Sequence, residues 1–175
     1  MQSISRRIAY DALMVALAMI FSYVEALIPI NFGVPGMKLG IANLVIVSGI
    51  YLFPIKDVLV IQIARILLTG AMFGNGMSVI YSLAGGMLSF AVMLVLKKIK
   101  GFSIIGVSIA GGVSHNIGQL IVASIVVQNL KVMYYGPALL IAGVITGAVI
   151  GVVCQKMLPI LKKIPGVNGK NGSEL

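Results

Sequence analysis

Apolar residues in this chain gather into six runs, covering residues 8–28, 39–53, 57–73, 77–96, 103–127 and 138–161. A helix of about 20 apolar residues crosses the ~30 Å hydrocarbon core of a bilayer, and most of the runs approach that length. The second run is shorter, so it is expected to cross tilted or to be extended by its neighbours. The breaks between runs carry turn residues. Pro29 and Pro35 bracket Asn31-Phe32-Gly33-Val34, Pro54 closes the second run, and Gly74-Asn75-Gly76 follows the third. Lys97, Lys98 and Lys100 close the fourth, and Gln128-Asn129-Leu130-Lys131 leads to Gly136-Pro137. The sixth run is read to Leu161, with Pro159 offering an alternative, earlier end. The pattern predicts an all-α integral membrane protein, a compact bundle of about six transmembrane helices. Residues 1–164 read as a single transmembrane domain and 165–175 as a disordered cytoplasmic tail.

Composition supports this class. Of 175 residues, 59% are hydrophobic and 10% charged. A soluble domain carries roughly 25% charged residues, so this chain cannot cover a water-facing surface. A net charge of +9 would suggest nucleic acid as a partner for a soluble protein. Here the charges sit between apolar runs, as membrane topology requires, so lipid is the expected surroundings and no nucleic-acid partner is expected. Ser5-Arg6-Arg7 before an apolar run resembles the start of a secretory or twin-arginine signal. Equally apolar runs follow and no convincing cleavage site ends the first, so it is read as a helix that stays.

Basic residues set the orientation. With six spans, one side holds Arg6, Arg7, Lys56, Lys97, Lys98, Lys100, Lys156, Lys162, Lys163 and Lys170, while the other holds Lys38 and Lys131. Both termini are therefore expected in the cytoplasm of a bacterial cell, with the protein in its inner membrane. Small residues indicate where helices touch. Gly143, Gly147 and Gly151 line one face of the sixth helix, Gly106, Ala110, Ser114 and Gly118 recur on the fifth, and Ser82, Gly85, Gly86 and Ser89 mark the fourth. Ala12 and Ala16 form a small pair near the cytoplasmic end of the first helix, suited either to a sister helix or to a partner subunit.

Polar residues inside the runs need a reason, because a charge at mid-membrane costs at least ~2.5 kcal/mol. Arg65 sits near the middle of the third run, with Gln62 and Thr69 on the same face. Glu25 lies about one turn inside the outer end of the first, with Ser22 nearby. His115, Asn116 and Gln119 fall mid-depth in the fifth, and Asn43 lies one turn inside the second. With Lys38 at the mouth of that run, Lys38, Asn43, Glu25, Arg65, His115, Asn116 and Gln119 form a polar patch in the outer half of the bundle. Two readings stay open. In one, Glu25 and Arg65 are a structural ion pair and the other groups stitch helices together. In the other, the patch lines an outward-facing pocket for a small polar ligand, anionic or partly so, held by Lys38 and Arg65 and oriented by the amides.

Several chemistries are not expected. One His and one Cys (Cys154) cannot supply the usual metal ligand sets, and the sole histidine has no sequence-evident acid partner for a nucleophilic triad. Asp11, Glu25, Asp57 and Glu174 are the only acids, and none adjoins another, so the carboxylate cluster of Mg²⁺-assisted diphosphate chemistry is missing. No phosphate-binding loop is present. An enzyme is not expected, nor is any cofactor.

Several stretches resemble one bacterial membrane family. Pro35-Gly36-Met37-Lys38-Leu39-Gly40-Ile41-Ala42-Asn43 resembles the most recognisable motif of the heptaprenyl diphosphate synthase component I family, also called the Gx transporter family. Arg65-Ile66-Leu67-Leu68, Ser82-Leu83-Ala84-Gly85-Gly86, His115-Asn116-Ile117-Gly118-Gln119, Gly136-Pro137 and Thr146-Gly147 look like its other blocks. The resemblance covers about residues 8–161. That family is similar to the substrate-binding (S) components of energy-coupling factor vitamin transporters. This likeness implies an S-component-like bundle that captures a ligand (vitamin-like, a flavin or quinone precursor, or an isoprenoid) from outside. It also implies a transmembrane coupling subunit with ATPases as partners, contacted through Ala12 and Ala16. The synthase name implies instead a non-catalytic membrane accessory subunit of prenyl diphosphate and menaquinone synthesis, or of a membrane redox system.

Overall fold

The turn residues account for where the helices begin and end. In the computed structural model, which describes residues 4–27 and 40–163, the helices are α1 (Ile4–Leu27), α2 (Asn43–Leu52), α3 (Ile55–Phe73), α4 (Gly76–Lys98), α5 (Ile104–Val127) and α6 (Gly136–Leu161). A short 3₁₀ helix, Leu130–Tyr135, precedes α6, and no strand occurs among the described residues. The region of the chain that carries α1, and those of α4, α5 and α6, are long and apolar enough to cross a membrane, so this is a multi-pass membrane protein. Helix α3 has 19 residues, about 28 Å of rise, but carries Lys56, Asp57 and Arg65.

Local caps fix the ends. Asn75 Oδ1 accepts the Ser78 N–H at 2.8 Å while the Asn75 N–H donates to Ser78 Oγ at 3.1 Å, a reciprocal cap for α4. Ser103 Oγ accepts the Gly106 N–H at 3.1 Å and starts α5. Gln128, at φ 51, ends that helix in the left-handed conformation. Pro137 lies in the first turn of α6, where its missing N–H costs nothing. Helix α6 runs through Pro159 to Leu161, the end read from the sequence, since a proline removes one backbone bond and a packed membrane bundle tolerates that loss.

The second run differs most from expectation. Helix α2 has 10 residues, a rise of about 15 Å, half of the ~30 Å hydrocarbon core. It does not span a bilayer by itself. It begins at Asn43, because Gly40 adopts φ +88 and a turn at Ile41 and Ala42 follows. Asn43 is thus its first residue and not one turn inside. Eight of its ten residues are buried, so α2 is a core helix with neighbours on every side. Isolated helices this short are marginal, and tertiary contacts hold this one. At its end, Lys97 Nζ donates to the Ile50 carbonyl at 2.8 Å and stands 5.1 Å from the centre of the Tyr51 ring. On its flank, Ser48 Oγ and Cys154 Sγ of α6 lie 3.2 Å apart.

Helix α5 packs between α4 and α6, and α1 lies mainly on α3. The α6 glycines face α5 as their spacing predicts. A Cβ on Gly147 would stand 2.6 Å from Ile109 Cα, and one on Gly151 2.7 Å from Ile105 Cα. On α5 the expected pattern is corrected. A Cβ on Gly106 would meet only Phe102 and Ser103, just ahead of its own helix, so Gly106 makes no interhelical approach. Gly118 makes a close approach as expected, and Gly111 and Gly112 make the others. Small residues at four-residue spacing occur on more than one face of this glycine-rich helix, and only one rotation meets the neighbours.

Two apolar clusters form. One surrounds α2 and includes Ile46, Ile50, Val58, Ile61, Phe90, Met93 and Cys154. The other gathers Tyr81, Leu120, Ala123, Val132 and Leu139. Along α4 and α5, buried Ser82, Ser89, Ser108, Ser114, His115, Asn116 and Gln119 fall between the two.

Candidate functional site

Five segments bring polar groups to the level between these clusters. At the end of α1, Glu25 is buried, and its Oε1 accepts the backbone N–H of Gly40. Gly40 precedes α2, and a Cβ there would stand 3.1 Å from His115 Cδ2 and 3.2 Å from Asn43 Nδ2. His115, mid-helix in α5, meets Gln119 one turn on, ring Nε2 to amide Nε2. Gly85 of α4 makes room for that pair. A Cβ there would stand 2.6 Å from the His115 carbonyl oxygen and 2.9 Å from Gln119 Cγ. The next residue, Gly86, makes room on the other side for the Gln62 amide of α3. Gln62 Oε1 accepts from Arg65 Nε at 2.9 Å, and the Glu25 carboxylate is near enough to attract the Arg65 guanidinium.

Hydrogen bonds and close approaches link Glu25, Gly40, His115, the Gly85-Gly86 step, Gln62 and Arg65 in that order, and charge attraction across from Arg65 to Glu25 completes a ring. The ring crosses from α1 to α3, α4 and α5 and returns through the turn before α2. It is buried throughout, and it leaves polar atoms without hydrogen-bond partners among the described residues. These are Asn43 Nδ2 and Oδ1, Gln62 Nε2, Arg65 Nη2 and Thr69 Oγ1. A buried polar group without a partner costs about 1–3 kcal/mol, so this concentration is expensive in a small bundle. Atoms of this kind hold a ligand by hydrogen bonds. Among the described residues no group of three or more His, Cys, Asp or Glu side chains stands ready to hold a metal.

Of the residues singled out from sequence, Glu25, Asn43, Arg65, His115 and Gln119 come together here. Asn116 belongs to a different face: its Nδ2 donates to the Leu139 carbonyl of α6 at 2.7 Å, tying α5 to α6, while its Oδ1 has no partner among the described residues. Lys38 lies outside the described residues. Ala12 and Ala16 are exposed on α1, on a face shared with Ile8, Leu13 and Ile20. Gln62, Thr69 and Gly40 were not in the sequence-derived set. The polar stripe at positions 62, 65 and 69 on one face of α3 was the signal for the first two; for Gly40 the signal was weaker, a glycine just ahead of an apolar run.

Comparison with known proteins gives one match. The model of a family described as heptaprenyl diphosphate synthase component I matches residues 14–158. No curated protein and no solved structure matches.

Proposed function

Because the chain belongs to the heptaprenyl diphosphate synthase component I family, we propose that it is a ligand-capture subunit in a bacterial cell membrane, resembling the substrate-binding component of an energy-coupling factor transporter. The observation that carries this reading is the buried ring with its unpartnered Asn43, Gln62, Arg65 and Thr69. A bundle that only needed to pack would fill this level with apolar side chains, as it does above and below. The charge asymmetry of the loops orients both termini to the cytoplasm if six segments cross, with α2 buried in the bundle and completing its crossing through flanking residues. The ring then sits in the outer half, and its ligand enters from outside. Lys38, two residues before Gly40 in the sequence, is the cation this reading assigns to the ligand's entry. The chain carries no nucleotide-binding motif, so import requires a transmembrane coupling subunit and ATPases, docked in part at Ala12 and Ala16.

The test is to purify the protein in mild detergent and identify extracted small molecules by mass spectrometry. One defined molecule should accompany the wild type and be depleted in Arg65→Ala and Lys38→Ala proteins that keep their helical circular dichroism. Loss of that molecule from neither variant, together with unchanged uptake in cells, sinks the reading.

The family description favours a second reading, a non-catalytic membrane accessory subunit that partners another component of a prenyl diphosphate synthase. Affinity purification from native membranes separates the two: a soluble prenyl synthase subunit comes with the chain under this reading, and a coupling subunit with ATPases under the first.

A further inference from the structure

Away from the ring, lysines gather at one end of the bundle, and the packing fixes their level. Leu52 of α2, Phe53 after it, Leu96 near the end of α4 and Leu161 at the end of α6 belong to one apolar cluster. Lys56, Lys98, Lys100 and Lys163 follow these residues closely in the chain, and all four are exposed. None of the four makes an ion pair with a described residue. Lys97 differs, being turned inward to the Ile50 carbonyl and the Tyr51 ring. Asp11 and Asp57 are the described acids towards this end, and Asp57 is buried. The exposed surface here is therefore basic. Among the described residues, the opposite end carries only Lys131 as a basic loop residue.

Large apolar side chains stand open beside these lysines. Between α4 and α5, Ile99 is 48% exposed and Phe102 49%. Their turn is tight: the Ile99 N–H donates to the Leu96 carbonyl at 3.0 Å, the Phe102 N–H donates to the Ile99 carbonyl at 3.4 Å, and Gly101 takes φ +109. Lys98 and Lys100 flank Ile99 on that turn. Ile160 of α6, three residues before Lys163, is 66% exposed. Val60 of α3, one turn after Lys56, is also exposed. On three helices, then, a lysine closes an open apolar row. That is the level where hydrocarbon gives way to head groups, and where a lysine stem lies on apolar surface while its ammonium reaches phosphate. An acidic protein or a free anion would meet the ammoniums and leave Ile99, Phe102 and Ile160 in water. A phospholipid covers both. A zwitterionic lipid brings its own ammonium to a basic surface, and an anionic one does not. We infer that this end of the bundle is a docking surface for anionic phospholipid, its head groups held by Lys98, Lys100 and Lys163 and its acyl chains by Ile99, Phe102 and Ile160.

None of these residues belongs to the ring, so the outcome does not depend on ligand capture. The experiment is native mass spectrometry of the purified full chain in mild detergent with equimolar dioleoyl phosphatidylglycerol and dioleoyl phosphatidylcholine. One lysine near an anionic surface changes affinity by about fivefold. The wild type should therefore retain phosphatidylglycerol over phosphatidylcholine by at least about fivefold. Lys98→Gln/Lys100→Gln should lower that preference several-fold, and Lys131→Gln, at the opposite end, should leave it unchanged. Ile99→Ser/Phe102→Ser should loosen both lipids alike and keep their ratio. Inorganic phosphate at matched ionic strength should leave phosphatidylglycerol in place. Equal retention of the two lipids by the wild type overturns the inference, as does an equal fall in Lys131→Gln. Displacement of phosphatidylglycerol by inorganic phosphate also overturns it and assigns the lysines to a free anion. Binding of poly-glutamate without any preference between the lipids overturns it too, and gives the surface to an acidic protein.

Discussion

Arg65 Nε donates to Gln62 Oε1 at 2.9 Å, and this single bond settles what each side chain still has to offer. It uses the acceptor oxygen of the pair and leaves Gln62 Nε2 and Arg65 Nη2 buried and without partners among the described residues. Replacing Gln62 by Leu removes the acceptor and leaves the Arg65 Nε–H buried without a partner. The expected loss is about 1–3 kcal/mol of stability, seen as a lower unfolding midpoint in detergent, together with loss of any co-purifying ligand. A midpoint equal to that of wild type would mean that Arg65 finds another acceptor and that the Gln62 bond is incidental.

Gly85 and Gly86 are neighbours on α4 that serve opposite sides of the ring, and alanine should affect them differently. A Cβ on Gly85 meets the His115 backbone oxygen at 2.6 Å, and a helix backbone cannot step aside. Overpacking of this kind costs about 1–3 kcal/mol. A Cβ on Gly86 meets instead the far end of the Gln62 side chain, which can rotate away. Gly85→Ala should therefore lower the unfolding midpoint strongly. Gly86→Ala should cost less stability but displace the Gln62 amide, and so weaken ligand retention about as much as Gln62→Leu. Equal unfolding midpoints in the two variants would contradict this division.

Which of these groups share a level along the helices was legible in the chain, and their rotation was not. Run lengths and turn residues located α3 to α6 closely, because Pro54, Gly74-Asn75-Gly76 and Gly136-Pro137 stop or start helices for local steric reasons. They failed at α2, where an apolar run says nothing about where a positive φ at Gly40 delays the helix. His115 and Asn116 are adjacent and at one depth, so sequence placed them in one site. About 100° of helical rotation sends the first to Gly40 and Gly85 and the second to the Leu139 carbonyl. The sequence offered Glu25, 40 positions away on α1, as a partner for Arg65; in the structure Arg65 Nε donates to Gln62 and Glu25 Oε1 accepts the Gly40 N–H, links that no periodicity reports.

Lys97 ties α4 to the end of α2 through the Ile50 carbonyl and the Tyr51 ring. Because α2 is short and held by its contacts, this tether should matter beyond its own bond. Lys97→Met keeps the length and the apolar stem but removes the charge. We expect a cost of about 1–2 kcal/mol, near the lower end for a bond to a charged group in a half-buried place. Amide hydrogen exchange across Asn43–Leu52 should quicken while α5 and α6 hold their protection. Uniform acceleration in every helix would mean that α2 has no separate opening and that the lysine acts on the whole bundle.

Ala12 and Ala16, unlike the residues of the ring, are exposed, on an outer face of α1 that the bundle does not cover. A structural role predicts that enlarging them disturbs folding, whereas a docking role predicts that it does not. Exposed substitutions away from packed features change stability by only about 0.5 kcal/mol. Ala12→Leu/Ala16→Leu should thus unfold at the wild-type midpoint and retain the same co-purified ligand. Capture of a transmembrane coupling subunit from native membranes should fall at least several-fold, because two leucines hold the partner helix away from the α1 backbone. Unchanged capture would remove this face from the interface, while a lowered midpoint would show that α1 packs against its own bundle through these alanines.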